Sequence, residues 1–300
     1  MLAALLFAAT LFTVTTVGAV LYLATRTDLV TDLPLFLSWQ TVRGVWSDPA
    51  LLATGLRLSL PTLFILLCHE LGHYLACRYY GYPVSPPYFL PAPFGLGTLG
   101  AFIRIGAPLR SKRELFDIGA AGPLAGFAAL LPFLGWGIAL SRPVPLPPPP
   151  AGIAEMILLV PGRSLGLHLA TWAAHGPLPE GYTIDLHPFA LAAWVGLLAT
   201  ALNLLPLGQL DGGHILYSLA GHRHRRLAIG LWLGLLALGL AWPGWALWCV
   251  VILVLGLRHP PVADEGYPIG RHRQAIAALL LLIFLLSFAP VPLATVAVGS

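Results

Sequence analysis

The chain has 300 residues, 58% of them apolar and 9% charged, with a formal charge of +4 and a mean hydropathy of +0.83. A soluble domain carries about 25% charged residues, and a disordered chain is poor in apolar ones, so both classes are excluded and an integral membrane protein remains. The 16 basic residues are scattered through short loops rather than gathered in one patch, which argues for membrane topology and against a nucleic-acid partner.

The first apolar run, Leu2 to Ala24, lacks a basic start and is long enough to cross about 30 Å of hydrocarbon. It reads as a retained membrane helix rather than a cleaved signal peptide. An Arg- and Ser-rich leader is absent, which points to a bacterial inner membrane rather than an organelle. Further spans are expected at about 56–80, 115–140 and 188–205. Between them, Ser141 to Pro150 (SRPVPLPPPP) predicts a stiff proline-rich spacer. Residues 151–187 predict short surface helices and loop.

The apolar stretch 227–257 is too long for one ordinary span, and Trp242-Pro243-Gly244 near its middle predicts two helices joined by a turn. A last span is expected from about Gln274 to Val296. The count is seven crossings, or six without that turn. With seven, the loops 81–114, 207–226 and 258–273 share one side and carry ten basic residues. The opposite loops carry Arg26, Arg43, Arg142 and Arg163. The positive-inside bias then puts the active site towards the cytoplasm. The expected fold is an all-α polytopic membrane protein in one domain. Its core lies at about 56–221, its proline-rich outer loop and surface segment at 141–187, and its C-terminal helices at 227–297.

Within the second span, His69-Glu70-Leu71-Gly72-His73 is an H-E-x-x-H sequence. On a helix, positions i and i+4 lie about 40° apart and one turn along the axis, so both imidazoles can reach one Zn²⁺. Glu70 is offset by about 100° and is placed to take a proton from a water on the ion. Ionisable side chains are expensive in hydrocarbon, so three together mark function. Catalytic zinc usually has a third protein ligand. The candidates are Asp211 and His214, which follow a span broken by Pro206 and Gly208, with Cys77 one turn past His73.

These residues resemble the site-2 protease family of intramembrane zinc metalloproteases. The resemblance rests on His69-Glu70-x-x-His73 together with Asn203-x-x-Pro206 and Leu210-Asp211-Gly212. It covers about 56–221. Gly97-Thr98-Leu99-Gly100-Ala101-Phe102 and Asp117-Ile118-Gly119-Ala120-Ala121-Gly122-Pro123 make it most similar to the branch of plant chloroplast proteases and their bacterial relatives. No segment is polar and long enough for the PDZ or CBS modules that many members carry. The resemblance implies that His69, His73 and Asp211 hold zinc, that Glu70 is the catalytic base, and that Asn203 positions the substrate or the oxyanion. The implied partners are the bilayer and a membrane-spanning protein substrate.

A hairpin is expected after the active-site helix, turning at Gly95-Leu96-Gly97 with a strand over 98–105. Gly97, Thr98, Leu99, Gly100, Ala101 and Phe102 are its candidate substrate-binding residues, since a free strand edge can pair with an unwound substrate. Gly122 and Gly126 predict close helix packing without chemistry. Asp117 is expected to cap its helix or to pair with Arg113. Two competing functions are a non-proteolytic membrane chaperone of the same fold and an aspartyl protease built on Asp117 and Asp211.

Overall fold

The computed structural model describes residues 1–25, 37–146, 156–257, 259–260, 262–264, 266 and 268–298. The expected loop charge at Arg26, the proline run at 147–150 and Arg258 lie outside the described residues. The chain is mainly helical. The helices α1 (Leu2–Ala24), α3 (Pro49–Tyr79) and α4 (Lys112–Leu140) are long and apolar enough to cross a membrane. The short helix α2 (Trp39–Ser47) precedes α3. After α4 come α5 (Leu165–His175), α6 (Pro188–Asn203), α7 (Asp211–Ala220), α8 (His224–Leu238), α9 (Gly244–Leu255) and α10 (Arg271–Ser287).

Local chemistry sets the helix starts. Asp48 caps α3 by accepting from the Ala50 amide at 2.8 Å, with Pro49 in the first turn, where a missing N–H costs nothing. Ser111 caps α4 by accepting from the amide of Glu114, the S-x-x-E arrangement of a capping box. At 31 residues α3 is about 46 Å long, more than the roughly 30 Å of a bilayer core needs.

The helices pack closely where small residues allow it. A Cβ at Gly72 would lie 2.3 Å from the Ala121 carbonyl oxygen, so α3 and α4 touch backbone to backbone. Ile65 of α3, Leu130 and Ile138 of α4, and Trp194 and Leu197 of α6 form one buried cluster beside this contact. Large apolar side chains such as Leu75, Trp136, Leu240 and Val254 point outwards and are exposed, as a lipid-facing surface requires.

The expected break in 227–257 is present: α8 and α9 are separate helices, joined through Gly239–Pro243. Two expectations are revised. The apolar stretch to Val296 is not helical throughout, because α10 stops at Ser287, ahead of Pro290 and Pro292, which cannot continue a helix. The segment beyond becomes the strand β6 (Leu293–Val298), paired antiparallel with β4 (Met156–Pro161). Among the described residues of 151–187 there is one helix, α5, accompanied by strands. Besides β4, β5 (Tyr182–Asp185) pairs with β3 (Arg142–Pro145).

The expected hairpin is formed by β1 (Tyr88–Pro91) and β2 (Thr98–Phe102), with Tyr88 opposite Phe102 and Pro91 opposite Thr98. Among the described residues, β1 is the strand neighbour of β2, and the other edge of β2 lacks one. An isolated bridge between Val84 and Ile105 extends the pairing past the strand ends.

Candidate metal centre

His69, Glu70 and His73 are all buried, at 5%, 6% and 7% exposure, on the face of α3 turned to α4 and α6. The Nε2 atoms of His69 and His73 are 3.1 Å apart. Asp211, the first residue of α7, brings its Oδ2 to 3.2 Å from His69 Nε2 and 3.3 Å from His73 Nε2. The turn segment between α6 and α7 makes this possible, because it reverses the chain within seven residues. Among the described residues these three side chains form the one group of His, Cys, Asp and Glu with converging ligand atoms.

The triangle fits zinc. A tetrahedral ion with bonds of about 2.0–2.1 Å needs donors about 3.3 Å apart, close to all three edges observed. The donor set of two imidazoles and one carboxylate belongs to catalytic zinc sites. Burying the Asp211 and Glu70 carboxylates in one cavity is costly unless a cation balances them.

His73 Nδ1 donates to the Ile118 carbonyl at 2.7 Å, which leaves Nε2 bare and aimed at Asp211. Gly122 stands where a side chain would destroy the site, since a Cβ there would lie 2.1 Å from His73 Nε2. The Gly122–Gly126 face therefore does pack closely, and what it packs against is the pair of imidazoles.

A cavity of about 240 Å³ opens onto this group, lined by Glu70, Ala101, Phe102, Ile103, Ile105, Asn203, Gln209, Leu210 and His214 as well as the triangle. Asn203, at the end of α6, holds its Nδ2 3.3 Å from His69 Nε2. The Glu70 carboxylate faces the backbone N–H of Ile103, just past β2. The arrangement offers a cation site, a carboxylate able to accept a proton beside it, and an amide donor on the other flank.

Of the six hairpin candidates, Ala101 and Phe102 line the cavity. Gly97 is turned to α1 instead: Thr13 Oγ1 donates to its carbonyl at 2.6 Å, and with φ +82° a Cβ would meet Val14 Cα at 2.6 Å. Thr98 Oγ1 donates to the Leu90 carbonyl, closing the hairpin, and Leu99 is exposed at 66%. Gly100 has φ +97° and donates its N–H to Thr98 Oγ1. Ile103 and Ile105, inside the expected strand but outside that candidate list, do reach the cavity. With Ala101 they fall at every second position, a period-2 pattern present in the sequence, and Phe102 lies between them on the cavity rim.

Cys77 sits with Tyr82 and Ile118 in an apolar cluster. Asp117 does not pair with Arg113. Its carboxylate accepts from Arg273 Nε at 2.8 Å and Nη2 at 2.6 Å and from the Tyr80 hydroxyl, tying the start of α10 to α3 and α4. With Asp117 held by Arg273 and Asp211 among the histidines, the two do not form an aspartyl dyad. Ser164 caps α5 by accepting from the Leu167 amide.

A family model for Peptidase family M50 matches residues 58–230. The chain is 32% identical over 270 residues to the probable zinc metalloprotease EGY2, chloroplastic, of Oryza sativa subsp. indica, covering 89% of this chain and 48% of that protein. It is 32% identical over 248 residues to the Arabidopsis thaliana protein of the same name, covering 81% and 43%. It is also 32% identical over 304 residues to the probable zinc metalloprotease EGY1, chloroplastic, of Oryza sativa subsp. japonica, covering 96% and 50%. The chain spans about half the length of these curated relatives.

Their chloroplast location overturns the expected bacterial inner membrane and, with it, the cytoplasmic placement of the active site. The first residues of this chain carry no information on compartment, because the relatives extend well beyond the shared region. The family match spans more than half of the chain and contains the H-E-x-x-H sequence and Asp211 alike; the chain belongs to Peptidase family M50.

Proposed function

We propose that this protein is a zinc endopeptidase that hydrolyses peptide bonds in or near the membrane-spanning segments of other proteins, with a chloroplast membrane as the compartment its relatives suggest. Residues 1–300 act as one membrane domain of six or seven crossings, in which the shorter helices α6, α8, α9 and α10 complete the bundle begun by α1, α3 and α4. His69, His73 and Asp211 hold the ion. A zinc ion there supplies a Lewis acid and a water acidic enough to be deprotonated near neutral pH.

Glu70 takes the proton of the attacking water and can return it to the departing amine. Asn203 donates its amide to the carbonyl oxygen as negative charge builds on it. The free edge of β2 receives the substrate as an added strand, so that the scissile bond is presented extended, with Ala101 and Phe102 along its path. An unpaired edge would be penalised in lipid, and the cavity beside Glu70 gives this one a polar neighbour.

The observation that carries the reading is the buried donor triangle with edges of 3.1 to 3.3 Å and Glu70 in the same cavity. A chaperone that merely retained the fold would need no proton acceptor beside the ion. The test is Glu70→Gln: cleavage of a membrane substrate falls by about 10²–10⁴-fold while zinc per chain stays at the wild-type value. Undiminished cleavage in that variant would refute the assignment.

A further inference from the structure

One imidazole in the cavity wall, that of His214, stands outside the donor triangle. His214 lies one turn along α7 from Asp211 and lines the same cavity. Its Nδ1 is 2.6 Å from Nε2 of His259, in the segment between α9 and α10. His259 Nδ1 is in turn 2.6 Å from the carbonyl oxygen of Pro260. A carbonyl oxygen only accepts, so His259 carries a proton on Nδ1, and the Nε2 of the neutral ring is an acceptor. A neutral His214 then donates from Nδ1, which leaves its own Nε2 without a proton.

The neutral form of His259 is favoured because burial pushes its pKa below the ordinary histidine range. Tyr217 stacks on the His259 ring, with centroids 4.4 Å apart and planes at 21°, and so fixes its orientation. The opposite tautomer would set two donors against each other or leave the Pro260 carbonyl facing a bare nitrogen.

We propose that His259 is a positioning residue that locks His214 in its Nδ1–H tautomer, so that His214 Nε2 accepts a backbone N–H of the peptide being cut. This rests on the endopeptidase reading. An extended peptide presents carbonyls and N–H groups alternately to opposite sides. Asn203 and the ion serve the carbonyl side, whereas much of the remaining wall is apolar, formed by Phe102, Ile103 and Ile105. A fixed neutral acceptor in that wall gives the N–H side a partner without adding a third carboxylate to a cavity that already holds two.

The test uses the full chain in detergent with an apolar transmembrane peptide containing central Gly and Pro, and follows cleavage, zinc content and imidazole ¹⁵N signals. His259→Gln keeps an acceptor opposite His214 Nδ1 and retains kcat/KM to within about threefold. His259→Lys offers only donors, drives the His214 proton to Nε2, and lowers kcat/KM about tenfold or more, with zinc unchanged. A merely structural tie would make the two variants equal, which overturns the proposal. So would ¹⁵N signals reporting Nε2–H at His214 in the wild type, whatever the cleavage result. If the wild type and Glu70→Gln cleave equally, the endopeptidase reading fails instead, and the tautomer measurement still decides the role of His259.

Discussion

Gly122 shows how much of the centre depends on a side chain that is missing. The imidazole of His73 occupies the space where a Cβ would lie, 2.1 Å from Nε2, and its Nδ1 is held from the same helix by the Ile118 carbonyl. Gly122→Ala is therefore expected to push His73 out of the donor triangle and lower zinc per purified chain at least about tenfold. Gly135→Ala, on the same helix with open space around it, should leave zinc content unchanged. Metal analysis of the two variants measures this; equal zinc in both would contradict it. The histidine pair was legible in the sequence because i and i+4 on a helix fix the geometry. The third ligand was not settled by spacing, since Asp211 and His214 lie one turn apart and the direction in which α7 leaves the 204–210 turn selects between them.

At the scale of elements, the hairpin is the part the sequence described best in kind and least well in detail. Its turn glycines and its strand were readable, but the side facing the cavity depends on how α1 receives Gly97. That contact is local to neither segment. The consequence is that the inner end of the strand, not its tip, lines the cavity. Ile103→Pro removes the N–H facing Glu70 and the ladder position beyond β2, and is expected to lower cleavage about tenfold or more with zinc retained. Leu99→Ala, at the exposed tip, should stay within about twofold. A cleavage assay on both variants separates a substrate-pairing edge from a passive cover, which predicts similar, small effects. The outer strands were not legible because they pair across long separations, residue 142 with 185 and 156 with 298.

For the whole molecule, apolar runs predicted the long helices because only a helix satisfies its own backbone in lipid. In the C-terminal segment Pro290 and Pro292 outweigh hydropathy, ending α10 and releasing β6 to pair with β4. Leu280 and Ile283 of α10 pack beside Phe116 and Ala120 of α4, and a polar latch fixes the start of the helix. Arg273 makes a two-pronged bond to Asp117, which also accepts from Tyr80. Burial, followed by the Asp117 carboxylate, pushes the Tyr80 hydroxyl up to about 12, so it remains a donor across the physiological range. Arg273→Met is expected to cost about 1–3 kcal/mol and to lower the unfolding temperature by a few degrees, with Arg273→Lys losing less. Thermal unfolding in detergent checks this ordering, and a methionine variant as stable as the wild type would mean the latch carries no stability.

His69, His73 and Asp211 together are expected to bind one zinc ion, which X-ray absorption at the zinc edge of the purified protein can read out. The expected result is about one zinc per chain, two imidazole nitrogens and further oxygen ligands at about 2.0–2.1 Å, and no sulfur. A zinc shell containing sulfur at about 2.3 Å, or one unaltered by Asp211→Ala, would contradict it.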